Sequence, residues 1–203
     1  MKIICIGRNY ADHAKELGNA VPSEPMFFCK PDSAILPKGN PFFIPEWSHD
    51  IHYEIEVVFK INRLGKYIQR EHALKYVSEI GLGIDFTARD VQEELKRKGF
   101  PWEKAKGFDG SAVLGDQWLN IDELNLDHLS FGLKKNGEWV QQGNTQDMIF
   151  KIQDIIAHVS QFMTLKIGDL IYSGTPQGVG PVASGDHLEG FLGEKSFFQL
   201  NIK

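Results

Sequence analysis

Apolar and polar positions alternate along His52–Phe59, His-Tyr-Glu-Ile-Glu-Val-Val-Phe. Its β-branched and aromatic residues predict a strand. Strand side chains alternate between faces, so Glu54 and Glu56 share one face and Tyr53, Ile55, Val57 and Phe59 the other. Residues 79–86 alternate likewise: Ile80, Leu82, Ile84 and Phe86 lie on one side, Gly81, Gly83 and Asp85 on the other. Ile149, Ile152, Ile155, Ile156, Val159 and Phe162 recur at helical spacing and predict a packed helix within 147–163. Shorter signals complete the pattern. A strand over 2–6 is broken by Gly7-Arg8-Asn9, and a helix over 10–17 ends at Gly18-Asn19. A buried strand is expected at 26–29, then a turn with an edge strand in the Pro- and Gly-rich 37–45. Residues 69–77 read as helical, and Thr87 as the N-cap of a helix over 90–98. A strand is expected at 111–114. Asn136-Gly137 predicts a hairpin turn between strands 129–134 and 138–142. A buried strand from 170 runs into a Gly-rich loop reaching 180, and strands 188–192 and 196–202 follow.

Composition narrows the class. With 20 Gly and 14 Phe, the chain favours a turn-rich β architecture over a helical bundle. Its 203 residues contain no repeat or long linker, which predicts one domain over 1–203. The net charge of −5 argues against a nucleic-acid partner. No apolar run approaches the roughly 20 residues that span a bilayer, and Met1–Ile6 is too short for a signal peptide. Cys5 and Cys29 sit among apolar residues without Cys-x-x-Cys spacing, which predicts buried free thiols. A cytoplasmic protein is expected.

The candidate chemistry starts with the carboxylates. Residues two apart on a strand rise by about 6–7 Å, so Glu54 and Glu56 can converge on one point. Burying like charges together requires a positive partner, and an all-oxygen donor set suits Mg²⁺, Ca²⁺ or Mn²⁺. Taken alone, this strand reads more simply as one with its polar face in water. Asp85 is the natural third carboxylate, and the flanking glycines imply a close approach to the backbone. On the first helix His13 and Glu16, three apart, share a face and can form an acid/base dyad, or can simply be solvated. Arg89 and Gln92 share a helix face, with a surface salt bridge as the plainer role for Arg89. Of Lys104 and Lys106, one is expected to neutralise an anion and the other to be solvated. The loop after residue 170 is no Walker A sequence, yet its N–H groups and the Thr175 hydroxyl can form an anion nest. His158 is read as a satisfied helix histidine and Asp32 as an exposed turn residue.

These pieces together resemble a known family. Gly7-Arg8-Asn9-Tyr10 with His13 and Glu16, His52-Tyr53-Glu54-Ile55-Glu56, Gly-Ile-Asp85-Phe-Thr-Ala-Arg-Asp, Lys106 before Gly107-Phe108-Asp109, Gly143-Asn144-Thr145 and Ser173-Gly174-Thr175-Pro176 follow in order. The chain resembles the fumarylacetoacetate hydrolase family, in its acylpyruvase/oxaloacetate decarboxylase branch. The resemblance implies an α+β, predominantly β fold, a mixed β-sandwich roll with short peripheral helices, assembled as a homodimer. It implies Mg²⁺ or Mn²⁺ held by Glu54, Glu56 and Asp85. His13 and Glu16 would activate water, Lys106 would stabilise negative charge, and Arg8, Arg89, Gln92 and Thr175 would position the substrate. The expected reaction is hydrolysis of an acylpyruvate-type 2,4-dioxo acid to pyruvate and a carboxylic acid. Oxaloacetate decarboxylation, or isomerisation or tautomerisation of a hydroxydienoate or of oxaloacetate, are the alternatives at the same site. Two rivals stand beside it: a metal-stabilised binding protein without catalysis, and a transition-metal site that recruits His52.

Overall fold

The computed structural model describes residues 1–12 and 22–203. The predicted dyad, His13 and Glu16, and most of the expected first helix therefore lie outside the described residues. In chain order the strands are β1 (Ile3–Gly7), β2 (Met26–Lys30), β3 (Ile51–Tyr53), β4 (Ile55–Ile61), β5 (Val77–Asp85), β6 (Thr87–Ala88), β7 (Ala112–Leu114), β8 (Leu119–Asn120), β9 (Ser130–Lys135), β10 (Glu138–Asn144), β11 (Leu170–Tyr172), β12 (Gly180–Pro181), β13 (His187–Leu192) and β14 (Lys195–Asn201). Three α-helices are described: α1 (Arg89–Lys98), α2 (Glu103–Lys106) and α3 (Ile152–Phe162).

The largest sheet runs β2-β1-β11-β4-β5-β7, with β8 also on β5. Only its β1–β11 pair is parallel. A second sheet runs β10-β9-β13-β14, and a small third one β12-β3-β6. The main core fills the space between the two larger sheets. Ile55, Val57, Phe59 and Ile61 of β4 and Ile80, Leu82 and Ile84 of β5 belong to it, with Leu133, Leu188, Phe197 and Leu200 from the second sheet. The opposite face of the large sheet holds a smaller apolar cluster of Ile3, Cys5, Val58, Leu170 and Tyr172. The fold is α+β and predominantly β, a curled mixed-sheet roll with short helices at its periphery.

The element that positions the site departs from the expected continuous strand. The chain leaves the small sheet after Tyr53 and enters the large one at Ile55, so Glu54 lies in the break. The backbone groups there are still satisfied: Ile55 N–H donates to Gln141 Oε1 at 2.9 Å, and Glu54 C=O accepts from Asp85 N–H at 2.9 Å. Beyond the break, Glu56 faces Gly83 across the β4–β5 pair. A Cβ at Gly83 would fall 2.4 Å from the Val113 carbonyl oxygen and 2.8 Å from the Tyr172 ring. The close approach implied by that glycine is thus to Tyr172, whose hydroxyl donates to Val113 C=O at 2.7 Å.

Other expectations shift for local reasons. Residues 69–77 form a 3-10 turn, Arg70–Tyr76, rather than an α-helix. Thr87 does not cap α1: it pairs with His52 in the small sheet, and Ala88 holds the N-cap position. Residues 37–45 supply one bridge, Phe42 to Ile202, in place of an edge strand. β2 is half-buried because it is the edge of its sheet. The long helix begins at Ile152 and buries Ile152, Ile155, Ile156 and Val159, while Phe162 is exposed. His158 packs edge-on to Phe27 and beside Phe162, as a helix histidine does. The hairpin is as read, with Asn136 at φ 54° and Gly137 at φ 88°. Asp32 lies exposed in a 3-10 turn. Both cysteines are free, Cys5 buried and Cys29 half-buried. No helix among the described residues is long and apolar enough to cross a membrane.

Candidate metal centre and substrate pocket

Glu54 in the strand break, Glu56 on β4 and Asp85 at the end of β5 each bring a carboxylate oxygen to within 4.8 Å of the others. All three are buried, between 1% and 5% exposed. Three buried cations face them. Arg89, the first residue of α1, contacts Glu54 Oε1 through Nη2 at 2.5 Å and donates from Nη1 to Gln92 Oε1 at 2.7 Å. Lys106, the last residue of α2, donates to Glu54 Oε2 at 2.7 Å and Asp85 Oδ2 at 2.8 Å. Lys30, from the end of β2, lies 2.7 Å from Asp85 Oδ1. It also donates to the carbonyls of Phe86 and Ser111, to Ser111 Oγ and to the Lys106 carbonyl. Burial alone would lower the Lys106 ammonium, but the Asp85 and Glu54 carboxylates outweigh it and hold its pKa above the usual range.

Glu56 is different. Among the described residues it has no ion pair, and accepts one hydrogen bond, from Gly174 N–H at 2.6 Å. Burial, then repulsion from Asp85 and Glu54, push its carboxyl well above the normal carboxylate range. Asp85 Oδ1, although beside Lys30, has no aligned hydrogen bond. Three hard oxygen donors, one of them uncompensated, converge within reach of a single ion, and that donor set fits a divalent cation. Gly174 is a glycine of necessity. Its φ is +100°, and a Cβ would lie 2.7 Å from Asn9 Cβ. The Gly-rich loop thus gives a single N–H, from Gly174, to a carboxylate that is the protein's own Glu56, in place of the expected nest of several donors.

A small, partly open pocket lies over this cluster, lined by Glu54, Glu56, Asp85 and Lys106 together with Arg8, Arg89, Gln92 and Thr175. The described part of the expected site is thus brought together. Arg89 is a buried ion pair rather than a surface one. The Thr175 hydroxyl accepts from Gln141 Nε2 at 2.9 Å and keeps its own proton free to donate. Arg8 occupies the left-handed region at φ 58°, an uncommon conformation for a side-chain-bearing residue. Asn9, wholly buried, braces that turn: its side chain donates to Phe150 C=O and Ser173 C=O and accepts from Phe150 N–H. Lys104 is exposed and is the solvated member of its pair. His52 is not with the carboxylates. It leaves with β3 into the small sheet and hydrogen-bonds Asp50 at 2.9 Å, which removes the basis for imidazole ligation.

Lys30, Ser111, Asn9 and Gln141 are the site-building residues that the pattern of residues does not single out. Lys30 carried one usable signal, a lone lysine ending an apolar run. The direction of Gln141, which bridges Ile55 N–H, Thr175 Oγ1 and Pro176 C=O, depends on how the second sheet is placed.

Comparison with known proteins places this geometry. Residues 2–202 match the family described as fumarylacetoacetate (FAA) hydrolase C-terminal. Over 189 residues the chain is 44% identical to the oxaloacetate tautomerase YcgM of Escherichia coli, covering 92% of this chain and 86% of the relative. It is 43% identical over 188 residues to the mitochondrial oxaloacetate tautomerase FAHD1 of Bos taurus, covering 92% and 85%. The fumarylpyruvate hydrolase of Pseudomonas aeruginosa, solved with Mn²⁺ and pyruvate, superposes with a TM-score of 0.93 at 33% identity, covering 100% of this chain and 89% of that one. The carboxylate cluster, its cations and the roll that carries them are those of an enzyme fold, and the chain belongs to the fumarylacetoacetate hydrolase family.

Proposed function

We propose that this enzyme moves a proton on the carbon next to the carbonyl of a small 2-oxo acid, with oxaloacetate as its substrate, and so acts as an oxaloacetate tautomerase. The observation that carries the reading is the pocket in which Glu54, Glu56 and Asp85 converge beneath Arg89, Lys106 and Arg8. The names of the E. coli and bovine relatives favour this reaction over acylpyruvate hydrolysis.

Removing a C3 proton from oxaloacetate places negative charge on the 2-oxo oxygen. Mg²⁺ or Mn²⁺ held by Glu54, Glu56 and Asp85 would supply Lewis-acid polarisation of that carbonyl. Lys106 has two N–H groups on carboxylates and a third to aim at the oxygen where charge develops. Arg89 is fixed by Glu54 and Gln92, so its guanidinium needs no reordering to meet a substrate carboxylate. Thr175 donates its free hydroxyl hydrogen. The resemblance supplies the proton shuttle, His13 oriented by Glu16. Acylpyruvate hydrolysis is the second reading, supported by the P. aeruginosa neighbour. It needs His13 to activate water instead.

The test follows keto–enol conversion of oxaloacetate, and pyruvate release from oxaloacetate, acetylpyruvate and fumarylpyruvate, each with Mg²⁺, Mn²⁺ or chelator. Metal-dependent conversion of oxaloacetate faster than any pyruvate release is the expected result. Faster release from an acylpyruvate would establish the hydrolase, and from oxaloacetate the decarboxylase. Full activity and metal response in Glu54→Ala would sink the site assignment itself.

A further inference from the structure

Among the described residues, the charges that line the pocket do not balance. The ion pairs join Glu54 to Arg89 and Lys106, and Asp85 to Lys106 and Lys30, and leave Glu56 without one among the described residues, so three cations equal the three carboxylates in number only. Arg8 and Lys96 also line the pocket, and neither forms an ion pair with a carboxylate among the described residues. Arg89, Gln92 and Lys96 stand at positions i, i+3 and i+7 of α1, one stripe along the helix. Helix side chains lean toward the N-terminus, so Lys96 points back along that stripe toward Arg89. It lies half-buried over the Trp102 ring, 5.5 Å from its centre, while its neighbours Arg97 and Lys98 are exposed. Burial, then the proximity of Arg89, Arg8 and Lys106, depress its pKa, as befits a cation held among cations.

A plainer account of a lysine in the last turn of a helix is its favourable interaction with the helix dipole. Arg97 and Lys98 meet that need from the exposed side of the same turn. Lys96 is instead the one directed into the pocket and packed on an aromatic wall. Gathering surplus positive charge in a half-buried pocket is unfavourable unless an anion arrives to offset it.

We propose that Lys96 and Arg8 form an outer anion subsite that binds the second, distal carboxylate of the substrate and so selects dianionic 2-oxo acids over monoanionic ones. The proposal rests on the 2-oxo acid reading and adds which residues hold the carboxylate that does not react. Lys96 is the specificity-determining residue, since it touches the part of the substrate that does not react.

Calorimetry on the Mn²⁺-loaded protein tests it with two ligands that the proposed tautomerisation does not consume. Pyruvate is monoanionic; difluoro-oxaloacetate is dianionic and has no C3 proton to lose. In Lys96→Gln, the dissociation constant for difluoro-oxaloacetate is expected to rise about 10- to 100-fold, the loss of one charged contact. That for pyruvate is expected to stay within about twofold, Lys96→Arg to retain most dianion binding, and the melting temperature to be unchanged. Equal weakening of both ligands, or no weakening of the dianion, would overturn the subsite while leaving the 2-oxo acid reading intact. Wild-type protein that binds neither ligand would overturn that reading and the subsite together.

Discussion

Lys30 and Lys106 both contact Asp85, yet their surroundings give them different work. Lys30 has no exposed side-chain surface and shares its three protons among three carbonyls and a hydroxyl, so it ties β2 to the ends of β5 and α2. Replacing it by Met takes from Asp85 one of its two buried cations and from the Phe86, Ser111 and Lys106 carbonyls a shared donor. We expect Lys30→Met to cost about 3–5 kcal/mol, the scale for breaking a buried pair, read as a lower urea midpoint. Lys106 instead faces the pocket. Lys106→Met is expected to lower kcat by about 10²- to 10³-fold, as loss of a charge-stabilising donor does, and steady-state kinetics with oxaloacetate checks it. The residue scale was partly legible. Glu54, Glu56, Asp85 and Arg89 stand out because charge recurs with strand or helix period. Lys30 and Gln141 do not, because their roles depend on partners 55 and 86 positions away.

Among the elements, α1 carries three pocket-lining residues, Arg89, Gln92 and Lys96. Its N-terminus is anchored by Asp90, which accepts from Ser48 Oγ at 2.7 Å, His49 N–H at 2.9 Å and Val91 N–H at 2.8 Å. Partial burial alone would raise the Asp90 carboxyl, but these donors outweigh it and hold its pKa below the usual value of 3.8. A carboxylate depressed in the folded state adds stability above its unfolded pKa and loses it as pH falls through the folded one. The melting temperature of wild-type protein should therefore exceed that of Asp90→Asn near neutrality, with the difference shrinking as pH drops from about 5 to about 3. A gap that persists at low pH would remove ionised Asp90 as the cause. Elements were most legible where the code is local. The Asn136-Gly137 turn depends on two residues adopting positive φ. The break at Glu54 depends on which sheet each half-strand joins, and no residue within that stretch reports it.

At the scale of the whole molecule, the carboxylate cluster lies where β2, the β3–β4 break, β5, α1, α2 and the Gly174 loop meet. An ion bound there joins several parts of the fold and binds the native state alone. At a concentration about 100 times its dissociation constant it adds about 2.7 kcal/mol. For a chain of this size that predicts a melting temperature about 5–10 °C higher with Mn²⁺ than with chelator. Glu56→Gln, which neutralises the carboxylate lacking a cation of its own, should lose most of that rise. An equal rise in the variant would place the ion elsewhere.

The sequence by itself determined the predominantly β class, the hairpin, the long apolar helix and the residue types of an acidic, oxygen-ligand site. Those features follow from side-chain period and turn chemistry, which are properties of neighbours along the chain. Only the tertiary structure decided that the three carboxylates converge, that Lys30 and Lys106 divide Asp85 between them, and that His52 turns away. Each of those depends on the β4–β5 register and on the change of sheet at Glu54. Register is set by long-range packing of both sheet faces, so no local pattern contains it.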